Sequence, residues 1–224
     1  MNLITISKKE FMDMLFTPNP FSFGQFGLLT EKDGKLYKIY YKDYVDAFIT
    51  RNPDKVDELI DFYHNSKSII NSNLRDPINA LFKYRRLEKT KSNNLITGVL
   101  SYKGIFVGVE MNYFKNYITL REATKSITLE ELNMYLNKAS VLISDLIAHS
   151  ILPSDIKEDN ILVNLETNDL ILIDLDGLET TYGSENPSTK KIIVRDLSEM
   201  QKRLKKSYKT NEVYKPKKLL RKKI

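Results

Sequence analysis

The stretch of sequence that decides the fold spans residues 152–163 and reads LPSDIKEDNILV; a second stretch, LIDLDG, follows at residues 172–177. Asp155 and Asn160 lie in the polar part of the first stretch, ahead of an apolar run, and Asp174 directly follows the apolar run of the second. We expect the two apolar runs to pair as a hairpin, which would return Asp174 to the loop that holds Asp155 and Asn160. Carboxylate and amide oxygens are the hard ligands that Mg²⁺ prefers, so this arrangement predicts a magnesium site.

The polar loop also resembles the catalytic loop of the protein kinase family, in which Asp-x-Lys-x-x-Asn precedes an apolar run. The resemblance implies that Asp155 is the catalytic base or acceptor-orienting residue and that Lys157 contacts the transferring phosphate. It also implies that Asn160 and Asp174 bind Mg²⁺, because Asp174 stands where the family has the first residue of Asp-Phe-Gly.

Three positions depart from the family pattern. Pro153 and Ser154 stand where the family has His-Arg, and the absence of that Arg removes the usual partner of a phosphorylated activation loop. Asp176 replaces the Gly of Asp-Phe-Gly, so Asp176 remains an alternative to Asp174 as the metal ligand. Asp196 is a candidate for the helix Asp that braces the catalytic loop in kinases, and an ordinary acid near a helix N-terminus is the alternative.

A glycine-bearing segment and a strand lysine precede these stretches in the order that the family has. Residues 22–29, SFGQFGLL, are similar to the glycine-rich loop whose backbone N–H groups close over phosphates. By the resemblance, Lys38 pairs with the ATP phosphates and Glu58, on a following helix, is its carboxylate partner. Taken alone, Lys38 would be a solvated strand lysine and Glu58 a surface charge. The cofactor-binding candidates are Ser22, Gly24, Phe26, Gly27, Leu29, Lys38, Glu110 and Asn112.

Short apolar runs separated by glycine turns predict two hairpins in the first half of the chain. Asp33-Gly34 favours a tight turn, because glycine accepts positive φ, and Lys103-Gly104 forms the second bend. A helical pattern begins at Pro53 and repeats apolar residues with the spacing of one helix face. These residues are Val56, Leu59, Ile60 and Tyr63. The first half is therefore expected to be a mostly antiparallel sheet with a helix against it.

The second half is expected to be mainly helical. Thr128 and Glu131 form a capping-box pattern, which predicts a helix through about residue 149. A final helix is expected around residues 195–207. The expected fold is α+β and resembles the two-lobed protein kinase fold. Its parts are an N-lobe at residues 1–112, a shortened C-lobe at 113–207 and a basic tail at 208–224.

Composition narrows the class of protein. The 224 residues are 42% hydrophobic and include no cysteine, which excludes disulfides and thiolate metal sites and favours a cytoplasmic protein. No segment has the length of apolar sequence that a membrane span needs. Residues 202–224 carry eleven Lys or Arg against Glu212, a net charge of +10, so the rest of the chain sums to −4. Any weak affinity for an anionic partner would therefore lie in the tail, with a solvated helix end as the alternative.

The sequence thus predicts ATP- and Mg²⁺-dependent phosphoryl transfer to a hydroxyl, on Ser or Thr of a protein substrate, since Lys157 is typical of Ser/Thr kinases. Two alternatives stay open. A pseudokinase or nucleotide-binding regulatory module is favoured by the altered His-Arg-Asp and the short C-lobe. A small-molecule phosphotransferase of the aminoglycoside or choline kinase type would share Asp155, Asn160 and Asp174, but those enzymes generally lack the lysine and carry extra helical insertions.

Overall fold

The structure of the protein is a computed structural model. The described residues are 1–15, 22–23, 27–40, 57–58, 76–92, 95–153, 155–175, 179–180 and 187–211. The chain divides into two compact units, Met1–Lys115 and Asn116–Ile224. A mixed sheet dominates the first unit, and helices with short strand pairs make up the second. The α+β class expected from the sequence is confirmed.

The first unit is built on a six-stranded sheet in the order β1-β5-β6-β4-β3-β2. The strands are β1 (Asn2–Thr5), β2 (Ser22–Phe23), β3 (Gly27–Lys32), β4 (Lys35–Tyr40), β5 (Ile96–Tyr102) and β6 (Ile105–Asn112). Neighbouring strands are antiparallel except β1 and β5, which run parallel. The mostly antiparallel sheet is confirmed, but β1 was not predicted. Its four residues are too few to show a period, and its partner lies far along the chain.

Two tight turns connect the hairpins of this sheet. Asp33 and Gly34 have φ of 52° and 74°, and Lys103 and Gly104 have φ of 48° and 76°. Two successive residues with positive φ are the type I′ geometry, whose twist matches that of the flanking strands. Both predicted hairpins, β3–β4 and β5–β6, are therefore confirmed.

Helix α1 (Lys8–Leu15) packs against one face of the sheet. Phe11 stacks on Tyr102 of β5 with 5.1 Å between ring centroids. A capping box starts the helix: the Ser7 backbone N–H donates to the Glu10 carboxylate at 2.7 Å, and the Glu10 N–H donates to the Ser7 hydroxyl at 3.2 Å. This helix was not predicted, although Ser7-x-x-Glu10 ahead of Phe11 is the capping-box pattern that indicates a helix N-terminus.

Helix α2 (Pro77–Arg85) lies near β5 and β6, and Tyr84 packs 6.3 Å from the ring of Phe106. Asp76 caps it by accepting a 2.8 Å hydrogen bond from the Ile78 N–H. The helical pattern that was expected from Pro53 onwards falls mostly outside the described residues. Of that segment the structure describes Asp57 and Glu58, both in helical conformation.

The second unit is organised around helix α4 (Leu129–Ala148), which follows the single-turn helix α3 (Leu120–Ala123). The Thr128 hydroxyl accepts from the Glu131 N–H at 3.2 Å, and the Glu131 carboxylate accepts from the Thr128 N–H at 2.6 Å. The predicted capping box and helix are confirmed. The fully buried side chains of α4 are Leu132, Tyr135, Leu136, Ala139, Ile143 and Leu146.

Five short strands belong to the second unit. They are β7 (Ile118–Thr119), β8 (Ile151–Leu152), β9 (Ile161–Val163), β10 (Leu170–Leu172) and β11 (Glu179–Thr180). Two of them, β8 and β10, contact α4. β9 and β10 form the predicted hairpin, with Asn168 at φ 58° in its turn. β7 adds to the other edge of β9, and β8 pairs with β11.

Helix α5 (Pro187–Asn211) is longer than the helix expected at residues 195–207. It begins at Pro187, a residue type favoured in the first helical turn, and its polar first turn gave no apolar pattern to detect. Its buried side chains are Ile193, Met200, Leu204 and Tyr208. The part of the basic tail after residue 211 lies outside the described residues. No helix within the described ranges combines the length and apolar character that crossing a membrane requires.

Candidate functional site

The loop between β8 and β9 is closed by the side chain of Asn160. Its amide nitrogen donates to the main-chain oxygen of Asp155 at 3.0 Å and to the Asp155 carboxylate at 3.2 Å. The main-chain oxygen of Asn160 accepts a 2.9 Å hydrogen bond from the Ile173 N–H, one residue before Asp174. Because Asn160 is buried, these bonds fix the loop to the end of β10.

The structure brings Asp155, Lys157, Asn160 and Asp174 together around one crevice of the second unit. Apolar residues such as Ile143 complete its lining. The volume of the crevice is about 10 Å³, room for roughly one water-sized occupant. The hairpin therefore does return Asp174 to the polar loop, as the sequence analysis expected.

Lys157 pairs with one carboxylate of the crevice and feels the charge of the other. Its ammonium group donates a hydrogen bond to the Asp155 carboxylate. This bond, and then the negative charges of Asp155 and Asp174, raise the pKa of Lys157 above its usual value. Both partners remain partly exposed, 42% for the Lys157 side chain and 46% for that of Asp155. The crevice therefore presents a cation beside two acids that water can reach.

Asp174 has an uncommon backbone conformation, with φ of 60°. Positive φ costs free energy for any residue with a Cβ, although Asp tolerates it better than most. Such strain tends to be retained at functional sites, where the surrounding structure holds it. Four other described non-glycine residues share this conformation, so it does not distinguish Asp174 from Asp176, which lies outside the described residues.

Two arginines hold the middle of the loop. Glu158, whose side chain is 4% exposed, accepts from Arg203 of α5 at 2.6 Å and pairs with Arg121 of α3 at 3.0 Å. Arg121 also forms a two-pronged pair with Asp159, at 2.6 and 2.8 Å. Burial alone would raise the pKa of Glu158, but Arg203 and Arg121 hold that pKa below its usual value. Sequence reasoning missed this network, because the partners are 38 and 45 residues apart and carry no local signal.

Among the residues that the structure describes, Asp196 makes no bracing contact with the loop. Its carboxylate accepts from the adjacent Arg195 at 3.2 Å on the surface of α5. The contact between α5 and the loop is made instead by Arg203, two turns later, through Glu158. The alternative interpretation, an ordinary acid of the helix, describes Asp196 better.

The candidates of the first unit lie on several strands. Lys38 is on β4, paired with Leu29 of β3 and Val109 of β6, and its ammonium group lies 5.5 Å from the ring centroid of Tyr40. Ser22 is on β2 opposite Leu29, and Gly27 begins β3. Gly24 and Phe26 lie outside the described residues. Glu58 is helical and exposed.

Glu110 and Asn112 lie on the face of the sheet opposite Lys38. The Glu110 carboxylate accepts from the Tyr37 hydroxyl at 3.2 Å and from the Thr97 hydroxyl at 2.6 Å. The side-chain amide oxygen of Asn112 accepts from the Lys35 ammonium at 2.7 Å. Successive strand residues point to opposite faces, so side chains that meet Lys35 and Tyr37 are on the other side from Lys38. The structure therefore does not bring the side chains of Glu110 and Asn112 together with Lys38.

The crevice offers oxygen donors of the kind that a magnesium ion takes. Asn160 and Asp174 supply oxygen atoms, and Mg²⁺ in phosphoryl-transfer sites takes only one or two protein carboxylates, with phosphate and water completing its coordination. Across the ranges that the structure describes, no three or more His, Cys, Asp or Glu side chains gather to hold a metal. Within those ranges, protein atoms alone therefore do not complete the coordination of a metal ion.

The comparisons with known proteins identify no family for this chain. A scan against protein-family models gives no match, and a search of curated proteins finds no significant relative.

Proposed function

We propose that this protein is a protein-kinase-like phosphotransferase, which binds ATP with Mg²⁺ and transfers the terminal phosphoryl group to a hydroxyl. The observation that carries the proposal is the convergence of Asp155, Lys157, Asn160 and Asp174 on one crevice. The first three come from one loop and the fourth from the end of β10. Phosphoryl transfer depends mainly on positioning and on stabilising phosphate charge, and these four side chains supply both.

The resemblance to protein kinases gives each of these side chains a role in the proposed reaction. Asp155 orients the acceptor hydroxyl and takes its proton as the new O–P bond forms and the bond to ADP breaks. Lys157, whose raised pKa keeps it cationic at neutral pH, faces the charge of the transferring group. Asn160 and Asp174 would hold Mg²⁺, which neutralises phosphate charge when bound.

The finer parts of the proposal come from the resemblance. It implies that Lys38 pairs with the ATP phosphates and that the two units correspond to the two lobes of a kinase. Lys157 favours a Ser or Thr side chain of a protein as the acceptor. The same resemblance gives Glu58 its place as the partner of Lys38.

The test is transfer of radiolabelled γ-phosphate to a generic Ser/Thr acceptor protein such as casein, in wild type, Asp155→Ala and Asp169→Ala. Asp169 is a matched control, because it is an exposed acid of the same unit in the turn before β10. Loss of the base should lower transfer by about 10²–10⁴-fold, and the control should keep wild-type rates. Transfer that is equal in wild type and Asp155→Ala, or undetectable in both, would contradict the proposal. Nucleotide binding without transfer would indicate a regulatory module.

A further inference from the structure

Glu158 and Asp159 are the loop residues between Lys157 and Asn160, and neither was assigned a part in the proposed chemistry. Their carboxylates are bound by guanidinium groups from two separate helices, Arg203 on α5 and Arg121 on α3. The loop is thus fastened through two successive residues in its centre. The side chains immediately before and after that pair are the ones that line the crevice.

The burial of Glu158 makes this attachment stiff. A carboxylate that is 4% exposed stays ionised only because its charge is compensated, here by Arg203 at 2.6 Å and Arg121 at 3.0 Å. The planar fork of arginine also fixes direction, which the point charge of a lysine does not. A shift of Glu158 would break both pairs and leave an uncompensated charge in the interior. The backbone of the loop is therefore held to the spacing that these pairs require.

We propose that Arg203 and Arg121 are positioning residues for the loop, acting through Glu158 and Asp159 to set where Asp155 and Asn160 lie. This inference rests on the proposed phosphoryl transfer. An error of about 1 Å in the placement of catalytic groups can cost about 10²-fold in rate. The arginines should accordingly affect the chemical step far more than they affect the binding of ATP.

The first experiment compares steady-state phosphoryl transfer in Arg203→Met, Arg203→Lys and Arg195→Met. Arg195 is the matched control, since it is on the same helix and pairs with its neighbour Asp196 at the surface. Arg203→Met should lower kcat by about 10–100-fold and leave KM for ATP within about 3-fold, because only placement is lost. Arg203→Lys should lose less of kcat than Arg203→Met does. Arg195→Met should keep the wild-type kcat. Equal kcat in Arg203→Met and Arg195→Met would overturn the inference.

A second variant keeps the inference testable if Arg203→Met does not fold. Glu158→Gln keeps the shape of the side chain and removes its charge, and it should lower kcat in the same way. In the double variant Glu158→Gln/Arg203→Lys, the loss should be no larger than that of the worse single variant, because both act on one pair. Additive losses would mean that the two residues act separately, against the inference.

Amide hydrogen exchange separates this inference from the proposed function. Without nucleotide, the amides of residues 155–161 should exchange faster in Arg203→Lys and Glu158→Gln than in wild type or Arg195→Met, while those of α4 should not change. Faster exchange with an enzyme that transfers no phosphate would refute the proposed function and leave the attachment of the loop intact. Unchanged exchange of the loop would refute the positioning role even if wild type transfers phosphate.

Discussion

Two groups of polar side chains, one in each unit, differ in whether their hydrogen bonds leave polar atoms available to a ligand. The sheet network, on one face of β4, β5 and β6, consists of Lys35, Tyr37, Thr97, Glu110 and Asn112, which bind one another. The crevice group of the second unit keeps Asp155 nearly half exposed and sets Asp174 in a strained backbone conformation. Polar residues that satisfy each other across a sheet stabilise it, whereas partly exposed acids that converge on one crevice can bind a ligand. The comparison predicts different outcomes for chemically similar substitutions.

The largest difference is expected between Asp174→Asn and Glu110→Gln. Each removes one carboxylate charge, but only Asp174 lines the crevice. Asp174→Asn should lower phosphoryl transfer by about 10²–10³-fold, because charge at the metal is lost, and should raise the Mg²⁺ concentration that half-maximal rate requires. Glu110→Gln should leave both quantities near wild type. A Mg²⁺ titration of the transfer rate measures them, and similar losses in the two variants would remove the distinction.

The next effect concerns the scaffold of the sheet. A Cβ at Gly108 would lie 2.3 Å from the main-chain oxygen of Lys38, so β6 can approach β4 only with glycine there. Gly108→Ala should lower the free energy of unfolding by about 1–3 kcal/mol or more, as measured by urea denaturation. Gly98→Ala is the control, because its Cβ would meet the flexible end of Ile4 at 2.4 Å. If Gly98→Ala proves the more damaging substitution, the close approach of β4 and β6 is not the constraint.

The ion pair of the buried Glu158 with Arg203 should make the stability of the second unit depend on pH. The folded-state pKa of Glu158 is lowered from 4.5, so the unfolded chain takes up the proton first as pH falls. Its contribution should be fully present above about pH 4.5 and should be lost as pH falls through the lower folded value. Urea denaturation of wild type and Glu158→Gln between pH 3 and 7 measures it. The variant should show the flatter profile, and parallel profiles would contradict the assignment.

The smallest effect is expected for Tyr37→Phe, in the sheet network. Burial and the neighbouring Glu110 raise the pKa of Tyr37 to about 12, so its hydroxyl is a donor at neutral pH. Removing this hydroxyl should cost about 1 kcal/mol of stability and leave phosphoryl transfer unchanged. Thermal denaturation and the transfer assay test the two halves of this prediction. A large loss of transfer would show that the sheet network has a part in function.

Features with a local signal were predictable from the sequence. The turns at Asp33-Gly34 and Lys103-Gly104 require backbone conformations that glycine favours, and the capping box at Thr128 and Glu131 satisfies the first N–H groups of its helix. The four polar residues of the crevice were also predicted, because a short hairpin returns the chain after β10, and with it Asp174, to the polar loop.

Features that depend on distant parts of the chain were not predictable. The pairing of β1 with β5 joins segments that are far apart in sequence, and the ion pair of Glu158 with Arg203 spans 45 residues. The face on which Glu110 lies follows from the register of β4 and β6, and a shift of one residue would reverse it. These contacts depend on tertiary packing, which the spacing of residues along the chain does not predict.

The central claim is that Asn160 and Asp174 together bind a divalent ion with the nucleotide. Electron paramagnetic resonance of Mn²⁺, titrated with a non-hydrolysable ATP analogue, tests it directly in wild type, Asn160→Ala, Asp174→Asn and the control Asp169→Asn. The account predicts nucleotide-dependent Mn²⁺ binding in wild type and Asp169→Asn, with at least about tenfold weaker binding in the two crevice variants. Equal Mn²⁺ affinity in all four proteins would contradict it.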